Sequence, residues 1–262
     1  MTVPDSGKLF ITFSGNRDGI PILLLHGFGA DSSCWKYQEP YLRDKFHLIA
    51  VDLPFHGKSH AIRESSIEAM SETVYSTISD LLREKCIVIG HSLGGIIAFR
   101  LTLDHPDLVR ALITVNSFSR YKLDRPGRIA HGLLRLSVVY FLGLQAWGLI
   151  LARQLFPGKT QAHLRREVIG KLSANSKERY LRTIKALVGY SLTEELHRIS
   201  CPALLISADN DYTPVEEKRS DAKLMAQGYV EVIHDSRHFS IWDQPESVNR
   251  AIGEFLKNNG ID

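Results

Sequence analysis

The stretch KCIVIGHSLGG, residues 85–95, places a reactive hydroxyl in a tight turn directly after a buried strand. The apolar run 86–89 is rich in β-branched residues and predicts a strand that is covered on both faces. Gly90 and Gly94 flank Ser92 in a G-x-S-x-G pattern, and the helix-like segment 96–105 follows closely. Glycine at these two positions allows a sharp turn from which the Ser92 hydroxyl projects. A glycine-rich turn with a capping serine is the simpler alternative.

Strand-like and helix-like segments alternate on both sides of this turn. Strands are expected at 8–13, 21–27, 46–52, 86–90, 109–116, 202–208 and 229–234, and helices at 31–42, 65–85, 93–104, from about 214 and at 245–258. This alternation predicts an α/β fold with a doubly wound, mostly parallel sheet and helices on both faces. The loops HGFGAD, GHSLGG, DNDYTP and HDSRHF each follow a strand, so we expect them to meet at the carboxyl edge of the sheet.

Residues 118–199 break the alternation and read as long helical segments without obvious strands. We therefore predict a core formed by residues 1–117 and 200–262, with 118–199 inserted as a helical cap. Between residues 118 and 200 there are fifteen Lys or Arg and five Asp or Glu. This basic surface could attract an anionic substrate or an acyl-carrier partner. The seventeen uncharged positions from Leu136 to Ala152 fall short of the roughly twenty that span a bilayer, so we expect a buried cap helix and no stable membrane span.

Composition excludes several classes of protein. The chain of 262 residues has a net charge of only +3, which argues against a nucleic-acid partner. Its three cysteines are far apart in the sequence and odd in number, which argues against a disulfide framework and favours a reducing, cytoplasmic location. We expect no signal peptide, because no basic segment followed by an apolar one opens the sequence. The H-x-x-x-H spacings at 56/60 and 234/238 lack the pattern of a zinc-binding helix, so no metal is expected.

Five segments make the chain resemble the α/β-hydrolase superfamily, in its cap-bearing branch of esterases, lactonases and C–C hydrolases. They are LLLHGFGAD (23–31), VDLPFHGKS (51–59), VIGHSLGG (88–95), LLISADNDYTP (204–214) and DSRHFSIWDQPESVNRAIGEFL (235–256). The resemblance covers essentially the full chain, and it implies the α/β-hydrolase fold.

The resemblance also assigns roles to individual residues. It implies that Ser92 is a nucleophile, that His238 is its general base and that an acid follows the strand at 202–208. The backbone N–H groups of Phe28 and Leu93 match the positions that form an oxyanion hole. These roles are chemically coherent, because a serine hydroxyl becomes a good nucleophile only when a base takes its proton, and the base needs a carboxylate to fix its tautomer.

The acid has two candidates. The family pattern Gly-x-x-Asp has Ala208 in place of its glycine here, and counting from Ala208 points to Asp211, with Asp209 as the rival. Some relatives carry the acid after the preceding core strand, but that position holds Asn116, which cannot carry the charge.

Other residues are expected to act around this set. His26 is expected to hold the oxyanion loop together. His91, which shares the turn of Ser92, and Trp242 are predicted to contact the substrate.

The resulting hypothesis is a serine hydrolase that cleaves a carboxylic ester, lactone or thioester of a small molecule through an acyl-enzyme, without a cofactor. A C–C bond hydrolase and an acyltransferase are alternatives with the same fold. Phe239 directly after the histidine and the 29–31 loop depart from the C–C hydrolase pattern and favour ester cleavage. A hydrolase-like receptor that binds a small ligand with little turnover is the alternative from another class. Haloalkane dehalogenase and epoxide hydrolase chemistry would need a carboxylate in place of Ser92.

Overall fold

The computed structural model describes residues 9–121 and 126–261. Its strands are β1 (Ile11–Gly15), β2 (Pro21–Leu25), β3 (His47–Val51), β4 (Cys86–His91), β5 (Val109–Val115), β6 (Ala203–Ala208) and β7 (Gly228–Ile233). Its α-helices are α1 (Glu39–Leu42), α2 (Ile67–Ile78), α3 (Leu93–Asp104), α4 (Pro126–Leu155), α5 (Ala162–Ser173), α6 (Lys177–Leu187), α7 (Val215–Leu224), α8 (Ser240–Asp243) and α9 (Pro245–Asn258). Short 3-10 helices lie at Ser32–Trp35, Ser79–Leu81, Lys159–Gln161 and Thr193–Arg198.

The strands form one seven-stranded sheet in the order β1-β3-β2-β4-β5-β6-β7. Every neighbouring pair from β3 to β7 is parallel, and only the edge strand β1 runs antiparallel, against β3. The predicted α/β class with a mostly parallel sheet is therefore confirmed. The carboxyl ends of β2, β4, β6 and β7 lie at the same edge, since these four strands run in the same direction.

Alternate residues of the parallel strands supply two separate hydrophobic cores, one on each face of the sheet. Leu25 of β2 and Val88 of β4 pack with apolar residues of α2, α3 and α7. Ile87 and Ile89 of β4 pack in the other core, with Trp35 and residues of α9. Because both faces are covered, the central strands from β3 to β6 in the sheet are almost entirely apolar, as the sequence pattern suggested, whereas the outer strands β1 and β7 are partly exposed.

One predicted helix is wrong. The segment 31–42 forms a short 3-10 helix at Ser32–Trp35, which Asp31 caps by accepting from the Ser33 N–H, and then the single turn of α1. Pro40 explains the interruption, because it lacks the N–H that a continuous helix would need there. The side chain of Asp52 accepts from the Ser32 N–H at 2.7 Å and holds the 3-10 turn against β3.

The helices α4, α5 and α6 form a helical insertion between β5 and β6. Val139 and Trp147 of α4 pack with Leu172 of α5 and Tyr180 of α6, and Phe28 from the loop after β2 joins this cluster. The insertion therefore contacts the loop that follows β2 at the carboxyl edge of the sheet.

The helix α4 is broken near its middle. Gly143 has φ 84° and ψ 178°, a conformation that essentially only glycine adopts. Within the described residues, α4 is the one helix whose length and composition would allow a membrane span, with a mean hydropathy of 1.6 in its most apolar window and 28% of that window buried. Its N-terminal part leaves Tyr140, Phe141 and Leu142 largely exposed.

We predict that two phenylalanines of the molecule contribute very differently to stability. Phe99 in α3 is fully buried, whereas Phe141 is 78% exposed. Phe99→Ala should lower the free energy of unfolding by about 3–5 kcal/mol, because it leaves a cavity in the core. Phe141→Ala removes the same atoms and should change it by no more than about 0.5 kcal/mol. Urea denaturation of both variants measures the difference, and equal losses would contradict the placement of α3 in the core.

Candidate active site

The turn after β4 holds Ser92 in a strained backbone conformation. Ser92 has φ 51° and ψ −114°, which lies outside the regions that L-residues favour. A Cβ atom at Gly90 would lie 2.4 Å from the Gly94 carbonyl oxygen, and one at Gly94 would lie 2.1 Å from the Leu25 carbonyl oxygen. Both glycines are therefore needed for close packing between this turn and the adjoining strands.

Three side chains from separate strand ends form one hydrogen-bonded chain. His238 Nε2 lies 2.8 Å from Ser92 Oγ, and His238 Nδ1 lies 2.8 Å from Asp211 Oδ1. Because a carboxylate only accepts hydrogen bonds, Nδ1 carries the proton that donates to Asp211. Nε2 is then the unprotonated nitrogen and accepts from the Ser92 hydroxyl. This tautomer is the one that can take a proton from the serine.

The carboxylate of Asp211 is fully buried but not isolated. Its second oxygen accepts from Thr213 Oγ1 at 2.5 Å and from the buried Lys218 Nζ at 3.3 Å. Burial alone would raise the pKa of Asp211, but the partners His238, Lys218 and Thr213 outweigh it and lower the pKa to about 2. The carboxylate is therefore charged at neutral pH.

Asp209, the rival candidate, binds elsewhere. Its oxygens accept from the backbone N–H groups of Asp235 and Ser236 at 3.0 and 3.2 Å. It therefore holds the loop that follows β7, and Asp211 is the carboxylate that contacts His238.

Two backbone N–H groups beside Ser92, one in the loop after β2 and one at the start of α3, are left without an acceptor among the described residues. The Phe28 N–H and the Leu93 N–H, the first of α3, donate to no protein acceptor within the part of the chain that the structure describes. His26 holds this loop, since its Nδ1–H donates to the Gly27 carbonyl at 2.8 Å and its Nε2 accepts from the Leu53 N–H at 2.9 Å. Burial lowers the pKa of His26 to about 4, so it stays neutral and keeps both bonds.

The backbone of His238 is fixed from two sides. His91 Nε2–H donates to the His238 carbonyl at 2.8 Å, and Asn116 Nδ2 donates to the same oxygen at 2.9 Å. Asn116 Oδ1 also accepts from the Ala208 N–H at 2.7 Å, so this amide joins the end of β6 to the histidine loop. The sequence singled out Asn116 only as a position that lacks an acid, and this second role was missed.

Two adjoining cavities open at this edge of the sheet. The inner cavity, of about 70 Å³, is lined by Ser92, His91 and Phe28. The outer one, of about 690 Å³, extends along α4 toward Thr213. Both are lined by His131, Arg135, Leu151, Leu155, Tyr212 and His238. The two cavities therefore adjoin at this shared wall, on either side of His238.

The prediction that Trp242 binds the substrate is not supported by its position. Trp242 is 3% exposed and lines neither cavity. Its indole N–H donates to the Cys34 carbonyl at 2.6 Å, and its ring packs against Phe156 and Phe239. It is a core residue on the face of the sheet that α9 covers.

Two residues of the shared wall were missed by the sequence analysis. The ring of Tyr212 lies over the ring of His238, with centroids 4.1 Å apart. Tyr212 belongs to the motif DNDYTP and directly follows Asp211, so the sequence could have indicated that it lies near the site. Arg135 comes from the middle of a largely apolar helix, where nothing in the sequence indicates which way its side chain points.

Comparisons with known proteins identify the family and the fold. The model of the alpha/beta hydrolase family matches residues 22–251. The chain is 27% identical to human epoxide hydrolase 4 over 97% of its own length and 77% of that protein. It is similar to a thermophilic esterase from Thermogutta terrifontis, solved with malate bound, with a TM-score of 0.82 and 27% identity over 95% of this chain and 93% of that one. An enol-lactonase from Burkholderia xenovorans shares the fold with a TM-score of 0.85 at 21% identity, over 95% and 96% of the two chains.

A parallel sheet with a strained serine turn and a family match over most of the sequence define an α/β hydrolase. The chain belongs to the alpha/beta hydrolase family. It is a hydrolytic enzyme, and small molecules are the substrates that its family suggests.

We predict that His91 makes the fold sensitive to acid. Burial lowers the pKa of His91 from 6.5 to about 3, so the unfolded chain binds a proton that the folded one excludes. Its stabilising contribution is complete above pH 6.5 and is lost as the pH falls toward 3. Over this range it should account for about 1.4 kcal/mol of unfolding free energy per pH unit. His91→Gln should reduce the slope by that amount in urea denaturation between pH 6.5 and 4.5.

The matched control for this prediction is His163→Gln. It removes an exposed imidazole of the helical insertion, whose hydration changes little on unfolding, so the slope should equal that of the wild type. An unchanged slope in His91→Gln would show that His91 is not the group that takes up the proton.

Proposed function

We propose that the protein is a serine hydrolase that cleaves a carboxylic ester, lactone or thioester through an acyl-enzyme. The observation that carries this proposal is the continuous chain from Ser92 Oγ through His238 to Asp211, with 2.8 Å at each link. Such a chain activates a hydroxyl because the imidazole accepts its proton while the carboxylate stabilises the imidazolium that forms.

The first half of the reaction forms the acyl-enzyme. Ser92 Oγ attacks the substrate carbonyl carbon while His238 Nε2 takes the hydroxyl proton. The carbonyl oxygen becomes an oxyanion, and the N–H groups of Phe28 and Leu93 donate to it. The tetrahedral intermediate then collapses, the bond to the leaving oxygen or sulfur breaks, and His238 returns its proton to that atom.

The second half releases the acid. A water molecule gives a proton to His238 Nε2 and its oxygen attacks the acyl carbon. The bond to Ser92 Oγ then breaks, and the serine regains the proton. Leu93 is the first residue of α3, so the helix dipole adds a partial positive charge where the oxyanion forms.

The residue at position 92 favours an acyl-enzyme over an alkyl-enzyme. The name of the human relative suggests epoxide opening, but that chemistry in this fold uses a carboxylate nucleophile, and the turn here carries Ser92. The Thermogutta terrifontis relative is an esterase at the same identity, which supports ester cleavage.

The remaining alternatives differ in measurable ways. An acyltransferase would pass the acyl group from Ser92 to an added alcohol in preference to water. A C–C hydrolase would cleave a carbon–carbon bond beside a ketone, which an esterase would leave intact. A receptor would bind ligand with little turnover. That the basic surface of the insertion binds an acyl-carrier partner stays a prediction.

We predict that Ser92 carries the covalent step. Ser92→Ala should lower ester turnover by about 10⁴- to 10⁶-fold, because the remaining machinery cannot form an acyl-enzyme. A fluorophosphonate probe should label wild-type protein at Ser92, as mass spectrometry of the peptide would show. Ser173→Ala, a change in an exposed serine of α5, is the control and should retain full activity. Full turnover by Ser92→Ala would refute the serine mechanism.

A further prediction distinguishes the two carboxylates. Asp211→Asn should lower kcat by about 10⁴-fold, because an amide no longer stabilises the productive tautomer of His238. Asp209→Asn should have a much smaller effect, since Asp209 binds Asn210 and the loop after β7 and does not contact His238. Both variants are assayed on the same ester after circular dichroism confirms folding. The opposite ranking would exclude Asp211 as the acid.

A further inference from the structure

Arg135 enters the shared wall of the two cavities from α4, held by aromatic rings. Its guanidinium carbon lies 4.2 Å from the ring centroid of Phe28, 4.9 Å from that of Tyr180 and 6.0 Å from that of Trp147. These ring faces attract the cation and fix its plane. The edge of the guanidinium, where its N–H groups point, is left for other partners.

The hydrogen bonds of Arg135 are incomplete. Its Nε–H donates to Tyr180 Oη at 2.7 Å, and no acceptor for its terminal NH₂ groups occurs in residues 9–121 and 126–261. No carboxylate oxygen of those residues lies within 4.0 Å of an Arg135 nitrogen, the limit for an ion pair. Arg100, another largely buried arginine, instead pairs with both Asp104 and Glu195. Among the residues that the structure describes, Arg135 is thus a cation held in a cavity without a counter-charge.

The outer cavity as a whole has more positive than negative groups available. Arg120 and Arg237 also line it. Neither lies within ion-pair distance of a described carboxylate, although Arg120 is near Asp221 and Arg237 is near Asp243. Among the described residues of its wall, the carboxylates are Asp211 and Glu217, and each already binds a cation. Asp211 binds His238 and Lys218.

Glu217 is occupied in a similar way, since it accepts from Arg128 at 2.6 Å. The field inside the cavity therefore favours an anion, and low-dielectric walls strengthen that preference.

We infer that Arg135 binds a carboxylate of the substrate, so that the enzyme acts on small esters that also carry a free carboxylate. A guanidinium presents two parallel N–H groups that match the two oxygens of a carboxylate. This inference rests on the proposed function, since it names the substrate class of the same site.

The position of Arg135 also limits the size of the substrate. Arg135 and Ser92 line the same inner cavity of about 70 Å³, and Arg135 packs on Phe28, whose N–H faces the proposed oxyanion. The carboxylate must therefore lie a few carbon atoms from the reacting carbonyl. Monoesters of short dicarboxylic acids have this geometry.

The test compares matched pairs of esters by the release of acid. Monoethyl succinate, glutarate and adipate carry the anion, and the corresponding ethyl esters in which a methyl ketone replaces the carboxylate are neutral. Wild-type kcat/KM should be at least about tenfold higher for the anionic member of the best pair. Arg135→Gln should lower the ratio of anionic to neutral kcat/KM by about 10- to 100-fold, mainly through KM, as expected for a lost charged hydrogen bond. Arg135→Lys should restore part of the ratio.

Controls distinguish recognition of the substrate carboxylate by Arg135 from the effect of losing a positive charge and from a loss of folding. Arg153→Gln removes the same charge from the same helix at an exposed position outside both cavities, and it should leave the ratio and the activity unchanged. A purely structural role of Arg135 would instead lower both members of a pair equally, and this result would overturn the inference.

A binding experiment keeps the inference independent of turnover. Calorimetry with the Ser92→Ala protein should show binding of the best monoethyl ester, and this binding should be lost in Ser92→Ala/Arg135→Gln. Equal binding by the two proteins overturns the inference even if no ester is cleaved. Hydrolysis of neutral and anionic esters at equal rates also overturns it, while leaving the serine mechanism intact. Absence of turnover and of Ser92 labelling refutes the proposed function instead.

Discussion

The close packing between α3 and the ends of β2 and β4 is the constraint on which the site depends. It holds Ser92 in a backbone conformation that costs roughly 1–3 kcal/mol. The Ser92 N–H donates to the Val115 carbonyl at 2.9 Å, and the Ser92 carbonyl accepts from Ser117 Oγ at 2.7 Å. Since α3 is buried along almost its entire length, its hydrophobic contacts can offset this local strain. The fold thereby holds the Ser92 hydroxyl within hydrogen-bond distance of His238.

Polar contacts also hold the backbone of His238 from behind. Asn116, itself at φ 48°, and His91 bind the His238 carbonyl from the ends of β5 and β4. Both are almost completely buried, and removal of Asn116 would leave the buried Ala208 N–H without its acceptor. The imidazole is therefore positioned through its backbone as well as through Asp211.

Much of the fold was predictable because its signals are local. The β-branched run before Gly90 and the glycine spacing around Ser92 describe interactions between neighbours in the sequence, and alternation of strands and helices determines the parallel sheet. The helix expected at 31–42 was wrong because Pro40 and the bond from Ser32 to Asp52 outweigh the helical pattern. Trp242 was misplaced because whether an aromatic ring lines a cavity or fills the core depends on distant segments.

Arg135 illustrates a different limit. A charge within an apolar helix can point to solvent, to a partner carboxylate or into a cavity, and the linear pattern is the same in each case. Its direction follows from the rings of Phe28 and Tyr180, which lie more than forty residues away on either side. Such residues can be found only once the tertiary contacts are known.

The buried Lys218 affects how charge is distributed in the proposed reaction. Burial lowers the pKa of Lys218, and the neighbouring Asp211 opposes that shift. When Lys218 is protonated, the resting set of Ser92, His238, Asp211 and Lys218 is electrically neutral. When the oxyanion forms, His238 gains one positive charge and the substrate gains one negative charge, so the sum stays zero. The reaction then only separates charge over a short distance inside a poorly polarisable interior. No counter-ion has to enter or leave as the chemistry proceeds.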